Sequence, residues 1–89
     1  MDNILSKMIP RLPSELLEEI ALKAKKKRKR RKLSQEDLAE KSGVSFGSIK
    51  RFETTGKISL ESLLKVALVL NSLEDFDQLF SPNPEPRSL

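Results

Sequence analysis

The side chains of this sequence that can do chemistry are cations. Eight basic residues follow one another from Lys25 to Lys32, and a second basic pair, Lys50 and Arg51, stands between the apolar residues Ile49 and Phe52. Ammonium and guanidinium groups at such density bind anions, the guanidinium in planar, two-pronged fashion. Cys and His are absent, which removes disulfides, thiolate nucleophiles, imidazole bases and the usual ligands of zinc, copper and nonhaem iron. The remaining carboxylates, Ser and Lys form no pair in a motif that would tune them for catalysis. No enzyme activity, catalytic residue, metal or cofactor is expected.

The chain that must position these cations has 89 residues, enough for one core and not for two. Seventeen Lys and Arg against thirteen Asp and Glu give a net charge of +4. That charge is uneven: Met1 to Pro13 carries +1, Ser14 to Lys57 carries +6, and Ile58 to Leu89 carries −3. Hydrophobic residues make up 37% of the chain, with four Phe and no Tyr or Trp. A core of Leu, Ile, Val and Ala suits packed helices, so the fold class is all-α. No apolar run reaches the length of a signal peptide or a membrane span, and a cytoplasmic protein is the expectation.

A start signal recurs three times, in which an apolar residue precedes a Ser that is followed four positions later by another apolar residue. It occurs at Leu33, Ser34 and Leu38, at Val44, Ser45 and Ile49, and at Ile58, Ser59 and Leu63. Each Ser caps a helix while the apolar pair staples its first turn. Ser34 to Asp37 and Ser72 to Asp75 also match the Ser-x-x-acid capping box. Gly43, Gly56 and Asn71 mark the stops. Ahead of these, Leu16, Leu17, Ile20, Ala21 and Ala24 form an apolar stripe on a first helix, with acids in its first turns and cations in its last. Five helices are therefore predicted: this first one, then Gln35 to Ser42, Phe46 to Glu53, Leu60 to Leu70 and Leu73 to Phe80. The apolar residues of the last two, among them Leu60, Leu68, Leu73, Phe76, Leu79 and Phe80, are expected mainly in the core, with a remainder for a dimer seam. Residues 14–80 form the domain. Residues 1–13 are an extension in which Ile4, Leu5, Met8 and Ile9 line one face of a short amphipathic helix ended by Pro10. Residues 81–89, with Pro82, Pro84 and Pro86, read as an extended or disordered tail.

Only Gly43, Val44 and Ser45 join the second and third helices, a connection so short that it forces an angled helix-turn-helix pair. Small Ala39 permits close approach, and Val44, Ile49 and Phe52 supply the buried face. With Ile49 and Phe52 inward, helical geometry turns Phe46, Gly47, Lys50 and Arg51 outward.

The stretch Leu33 to Asn71 resembles the Cro and phage-repressor-like helix-turn-helix family of bacterial regulators, the Xre family. The residues that carry the likeness are Ser34-Gln35, Leu38-Ala39, Gly43-Val44-Ser45, Ile49, Phe52-Glu53 and Ser59-Leu60-Glu61. The resemblance implies a compact five-helix domain whose third helix enters the DNA major groove. It implies base reading by Ser45, Phe46, Gly47, Lys50 and Arg51, with Arg51 on guanine O6 and N7 and Phe46 on a thymine methyl. It places Gln35 on a phosphate at a helix N-terminus, with Ser48 and Lys57 as further phosphate contacts. Many family members have Gly where this chain has Lys32, which bears on how the first helix ends.

The run Lys25 to Lys32 is open to several readings: a solubilising face, a localisation tract, an RNA-binding patch, an anionic-membrane patch, or nonspecific attraction to DNA, with Lys29 and Lys32 as phosphate contacts. A membrane role is disfavoured because no apolar stripe continues beneath the cations. The resemblance further implies a homodimer on a palindromic operator in the bacterial nucleoid, and repression by a chain with no room for an inducer domain. The segment Ser45 to Glu53 with Ile58 to Glu61 is similar to antitoxin regulators of the HipB type, which implies a kinase-like, HipA-like toxin as partner. Competing readings are a protein-interaction module and a nonspecific nucleic-acid binder.

Overall fold

The structure is a computed structural model and describes residues 11–82. The amphipathic turn expected at Ile4 to Ile9 and most of the Pro-rich tail lie outside the described residues. Within them the chain forms α1 (Pro13–Arg30), α2 (Gln35–Ser42), α3 (Phe46–Thr55), α4 (Leu60–Val69) and a 3-10 helix (Leu73–Gln78), with no strand.

The helix starts follow the caps read from the sequence. Ser34, Ser45 and Ser59 each accept a hydrogen bond from the backbone N–H three residues on, at Asp37, Ser48 and Ser62. The Ser34 N–H in turn donates to Asp37 Oδ2 at 2.9 Å, completing the capping box. α1 begins with Pro at its first position, where a missing N–H leaves no bond unmade.

The stops divide into two kinds. α2 and α3 end on Gly43 and Gly56, both left-handed, at φ 78° and 82°. α1 and α4 end in paired backbone bonds around a left-handed residue that is not Gly. At α1 the N–H groups of Lys32 and Leu33 donate to the carbonyls of Lys29 and Arg28, with Lys32 at φ 60°. At α4 those of Asn71 and Ser72 donate to Leu68 and Ala67, with Asn71 at φ 59°. Lys32 thus adopts the conformation for which glycine is best suited, and α1 still stops there.

The core is Leu38, Val44, Ile49, Val66 and Leu70, with Ala24, Leu33, Ala39, Ile58 and Val69 packed against it. Phe52, Ala21 and Ala67 are also buried. α3 packs on α1 and on α2, and α2 packs on α4. Of the staple residues of the three Ser-capped starts, Leu38, Val44 and Ile49 are buried, and Leu33, Ile58 and Leu63 are half-buried.

The five expected helices form, and three details differ from expectation. The fifth helix is a six-residue 3-10 segment with no buried residue. Its cap does not form because the Ser72 hydroxyl accepts from Lys27 Nζ at 2.6 Å and itself donates to the Leu70 carbonyl. Leu60, Leu68, Leu73, Leu79 and Phe80 are exposed instead of buried, since α4 turns only Val66 and Ala67 fully inward and the 3-10 segment buries no residue. Leu16 and Leu17, near the start of α1, are about 40% exposed where a covered stripe is predicted.

Candidate nucleic-acid interface

The face of α3 opposite Ile49 and Phe52 carries the residues singled out from the sequence. Ser45, Phe46, Gly47, Ser48, Lys50 and Arg51 are all exposed, whereas Ile49 and Phe52 are at most 1% exposed. The burial of these two fixes the rotation of the helix, and with it which residues point out. Lys50 Nζ lies 5.2 Å from the centre of the Phe46 ring, a cation–π contact that keeps the ammonium at the helix start. Ser45 accepts from the Ser48 N–H and donates to Ser48 Oγ at 2.9 Å. Among the described residues Lys50, Arg51 and Lys57 form no ion pair, which leaves three cations available to an external anion. A Cβ built on Gly47 meets nothing within 4 Å. Neither packing nor backbone angle requires glycine there, and the helix surface is bare at that point.

Behind this face lies a buried polar cluster. Arg28, 6% exposed, donates from Nε and Nη2 to the two carboxylate oxygens of Glu53 at 2.7 and 2.9 Å. Its Nη1 donates to the Leu33 carbonyl at 2.7 Å. Gln35 Nε2 donates to Glu53 Oε1 at 2.8 Å. Burial pushes the Glu53 carboxyl up, but hydrogen bonds from Arg28 and Gln35 and the charges of Arg28 and Lys25 outweigh it and hold the group below its ordinary 4.5. The Asp37 carboxyl is likewise lowered from 3.8, first by the Ser34 N–H and then by its hydroxyl. The cluster joins the end of α1, the start of α2 and the last turn of α3. Their relative angle is thereby set by a bidentate ion pair and not by apolar packing alone.

The helix-turn-helix family model HTH_3 matches residues 25–76, from within α1 to within the 3-10 helix. The chain belongs to this helix-turn-helix family, whose domain is a DNA-binding transcription regulator. A comparison with curated proteins finds no match. No helix among the described residues is long and apolar enough to cross a membrane, and none of their acids group as a metal site.

In helix-turn-helix terms, α2 and α3 are the paired helices, joined through Gly43. Gln35 is the first residue of α2 and is held by Glu53, one of its two amide hydrogens being used in that bond. Lys57 follows Gly56, and its backbone N–H donates to Thr55 Oγ1 at 3.1 Å. Lys29 and Lys32 stand apart: both are exposed at the end of α1, and among the described residues no hydrogen bond or ion pair joins either to α3. Reading the basic run as one block misses Arg28. The signal was present in the stripe of α1, because Leu17, Ala21 and Ala24 continue at helical spacing to position 28. Lys27, which bonds Ser72, is half-buried.

Proposed function

We propose that this chain is a sequence-specific transcriptional repressor that binds a palindromic operator as a homodimer. The observation that carries the reading is the α3 face: six exposed residues, two of them cations with no ion pair among the described residues, on a helix whose rotation and tilt are held from behind by Ile49, Phe52 and the Arg28–Glu53 pair. A reader of base edges needs such a rigid support, since a donor misplaced by a fraction of an ångström loses its bond. Ser45, Phe46, Gly47, Lys50 and Arg51 read the major groove. Gln35, with its second amide hydrogen, Ser48 and Lys57 hold the flanking phosphates, and Lys29 and Lys32 add nonspecific attraction. Bound at its operator, the protein blocks access to the promoter of its own operon.

The antitoxin reading rests on the similarity of Ser45 to Glu53 and Ile58 to Glu61 to regulators of the HipB type. A kinase-like toxin is then the second partner, met through a terminal segment. Isolation of the native complex from the host tests this directly, and recovery of no kinase-like protein under conditions that preserve complexes removes the toxin from the proposal.

The DNA proposal is tested by selecting sites from a random duplex library at near-physiological salt with excess competitor. An enriched palindrome is the expected result. Arg51→Ala then weakens the selected site by about 1 to 3 kcal/mol and relaxes preference at one position of each half-site. An indifferent Arg51→Ala, or a library with no enriched site, overturns the reading in favour of a protein-interaction module or nonspecific binding.

A further inference from the structure

A groove of about 440 Å³ runs between α1 and the α4 to 3-10 segment. Ile20 and Ala24 form one wall, and Leu63, Val66, Leu70 and Phe76 the other. None of its lining residues comes from α3, so a partner seated in it leaves the DNA-reading face open. The two rims are opposite in charge. Lys23, Lys27 and Arg30 stand along α1, and Asp75 stands across from them on a 3-10 segment that also carries exposed Glu74 and Asp77 and no cation. Lys27 is engaged by Ser72. Among the described residues none of Lys23, Arg30, Glu74, Asp75 and Asp77 forms an ion pair.

Beside the groove stands a large ring that packs on nothing. Leu79 lines the groove at its 3-10 end, and Phe80, the next residue, is wholly exposed. The Phe80 backbone is left-handed at φ 59°, a conformation that bulky residues rarely adopt.

We infer that the groove receives Phe80 of a second copy of this chain, and that this exchange, made twice, holds the homodimer. The inference deepens the proposed function and rests on its homodimer. A two-fold axis makes every contact reciprocal. Because Phe80 stands at the lip of its own groove, an axis through that end brings each ring to the other copy's groove in a single arrangement. The 3-10 segment follows its ring, so its acids meet Lys23 and Arg30 of the other copy, and charges left without ion pairs in one copy find opposite charges in the dimer. An exposed aromatic that becomes desolvated in an apolar pocket is the kind of anchor that dominates an interface. The exposed Leu60 and Leu68 of α4 offer a rival face, but the charges beside them, Glu61 and Lys65, already pair with each other.

Sedimentation equilibrium of the full chain without DNA is expected to give a dimer. Phe80→Asp is expected to weaken it at least about tenfold, with circular dichroism unchanged because the ring lies outside the core. Charge exchange tests the geometry separately. Lys23→Glu with Arg30→Glu, and in a second chain Glu74→Lys with Asp77→Lys, each set like charges across the contact and weaken self-association. Mixing the two variants is expected to restore a dimer, since both contacts are then between opposite charges. Nuclear Overhauser contacts on mixed labelled and unlabelled wild-type chains are expected between the Phe80 ring and the Ile20 and Leu63 methyls of the other copy. A dimer that Phe80→Asp leaves intact, or a variant mixture that stays dissociated, overturns the inference and leaves the homodimer to another face. A chain that is monomeric at NMR concentration overturns both. Ile20 and Leu63 methyls that contact only residues of their own chain overturn the inference as well, and leave the groove to a terminal segment or to another protein.

Discussion

Arg28 stands in a run of eight cations, yet it and its seven neighbours have different fates. Its guanidinium is buried because Glu53 and the Leu33 carbonyl satisfy it, and burying a charge is tolerated only with such partners. Removing one member leaves the other charged and unpaired, so Glu53→Gln is expected to destabilise the fold by about 3 kcal/mol or more, read as a loss of thermal stability by circular dichroism. The pH dependence has a definite sign. The Glu53 carboxyl titrates below 4.5 in the folded chain, so its contribution is fully present above 4.5 and is lost as the pH falls through the lowered value. The difference between the wild type and Glu53→Gln is therefore widest above pH 4.5 and narrows below it. A gap that stays constant down to pH 3 would show that the carboxylate charge is not what stabilises the site.

At the scale of the elements, the ends of the helices separate local from long-range constraint. Gly56 is left-handed, and a Cβ placed on it would lie 2.7 Å from the Leu17 carbonyl oxygen of α1. Gly43 is left-handed as well, but a Cβ there meets nothing within 4 Å. Alanine at Gly43 is expected to cost about 1 kcal/mol, for the backbone angle alone. At Gly56 it must also push α1 away, and the loss should exceed that at Gly43 by at least about 1 kcal/mol. Lys32 is the converse case: at φ 60° with an exposed side chain, Lys32→Gly is expected to stabilise the fold by up to about 1 kcal/mol. Chemical denaturation of the three variants ranks them, and equal losses at Gly43 and Gly56 would contradict the close packing of α1 on the α3 to α4 loop.

For the whole molecule, the exposed cations at the end of α1 and those on α3 belong to different elements with no bond between them. Lys29→Ala with Lys32→Ala is expected to lower the salt dependence of DNA binding by up to about two in the slope of log K against log salt. The ranking of DNA sequences should not change, because phosphate contacts carry no base information. An altered preferred site would move one of these lysines to the base edges.

How much of this was legible in the sequence depends on distance along the chain. The three Ser caps, the turn at Gly43, the stop at Asn71 and the outward face of α3 were readable because each rests on interactions within about four residues, and the residues themselves carry the geometry. The family likeness added the expected roles of that face. The cap at Ser72 failed for the opposite reason. Its hydroxyl is engaged by Lys27, 45 positions away, and no local pattern announces that bond. Glu53 likewise meets Arg28 and Gln35 across 25 and 18 positions. Which cation of the run turns inward, which leucines of α4 stay in solvent, and the groove between α1 and α4 were decided only when the helices packed. A helix's own sequence determines its start, its stop and its apolar stripe, while the surface that stripe meets, and how far it is covered, is a property of the other helices.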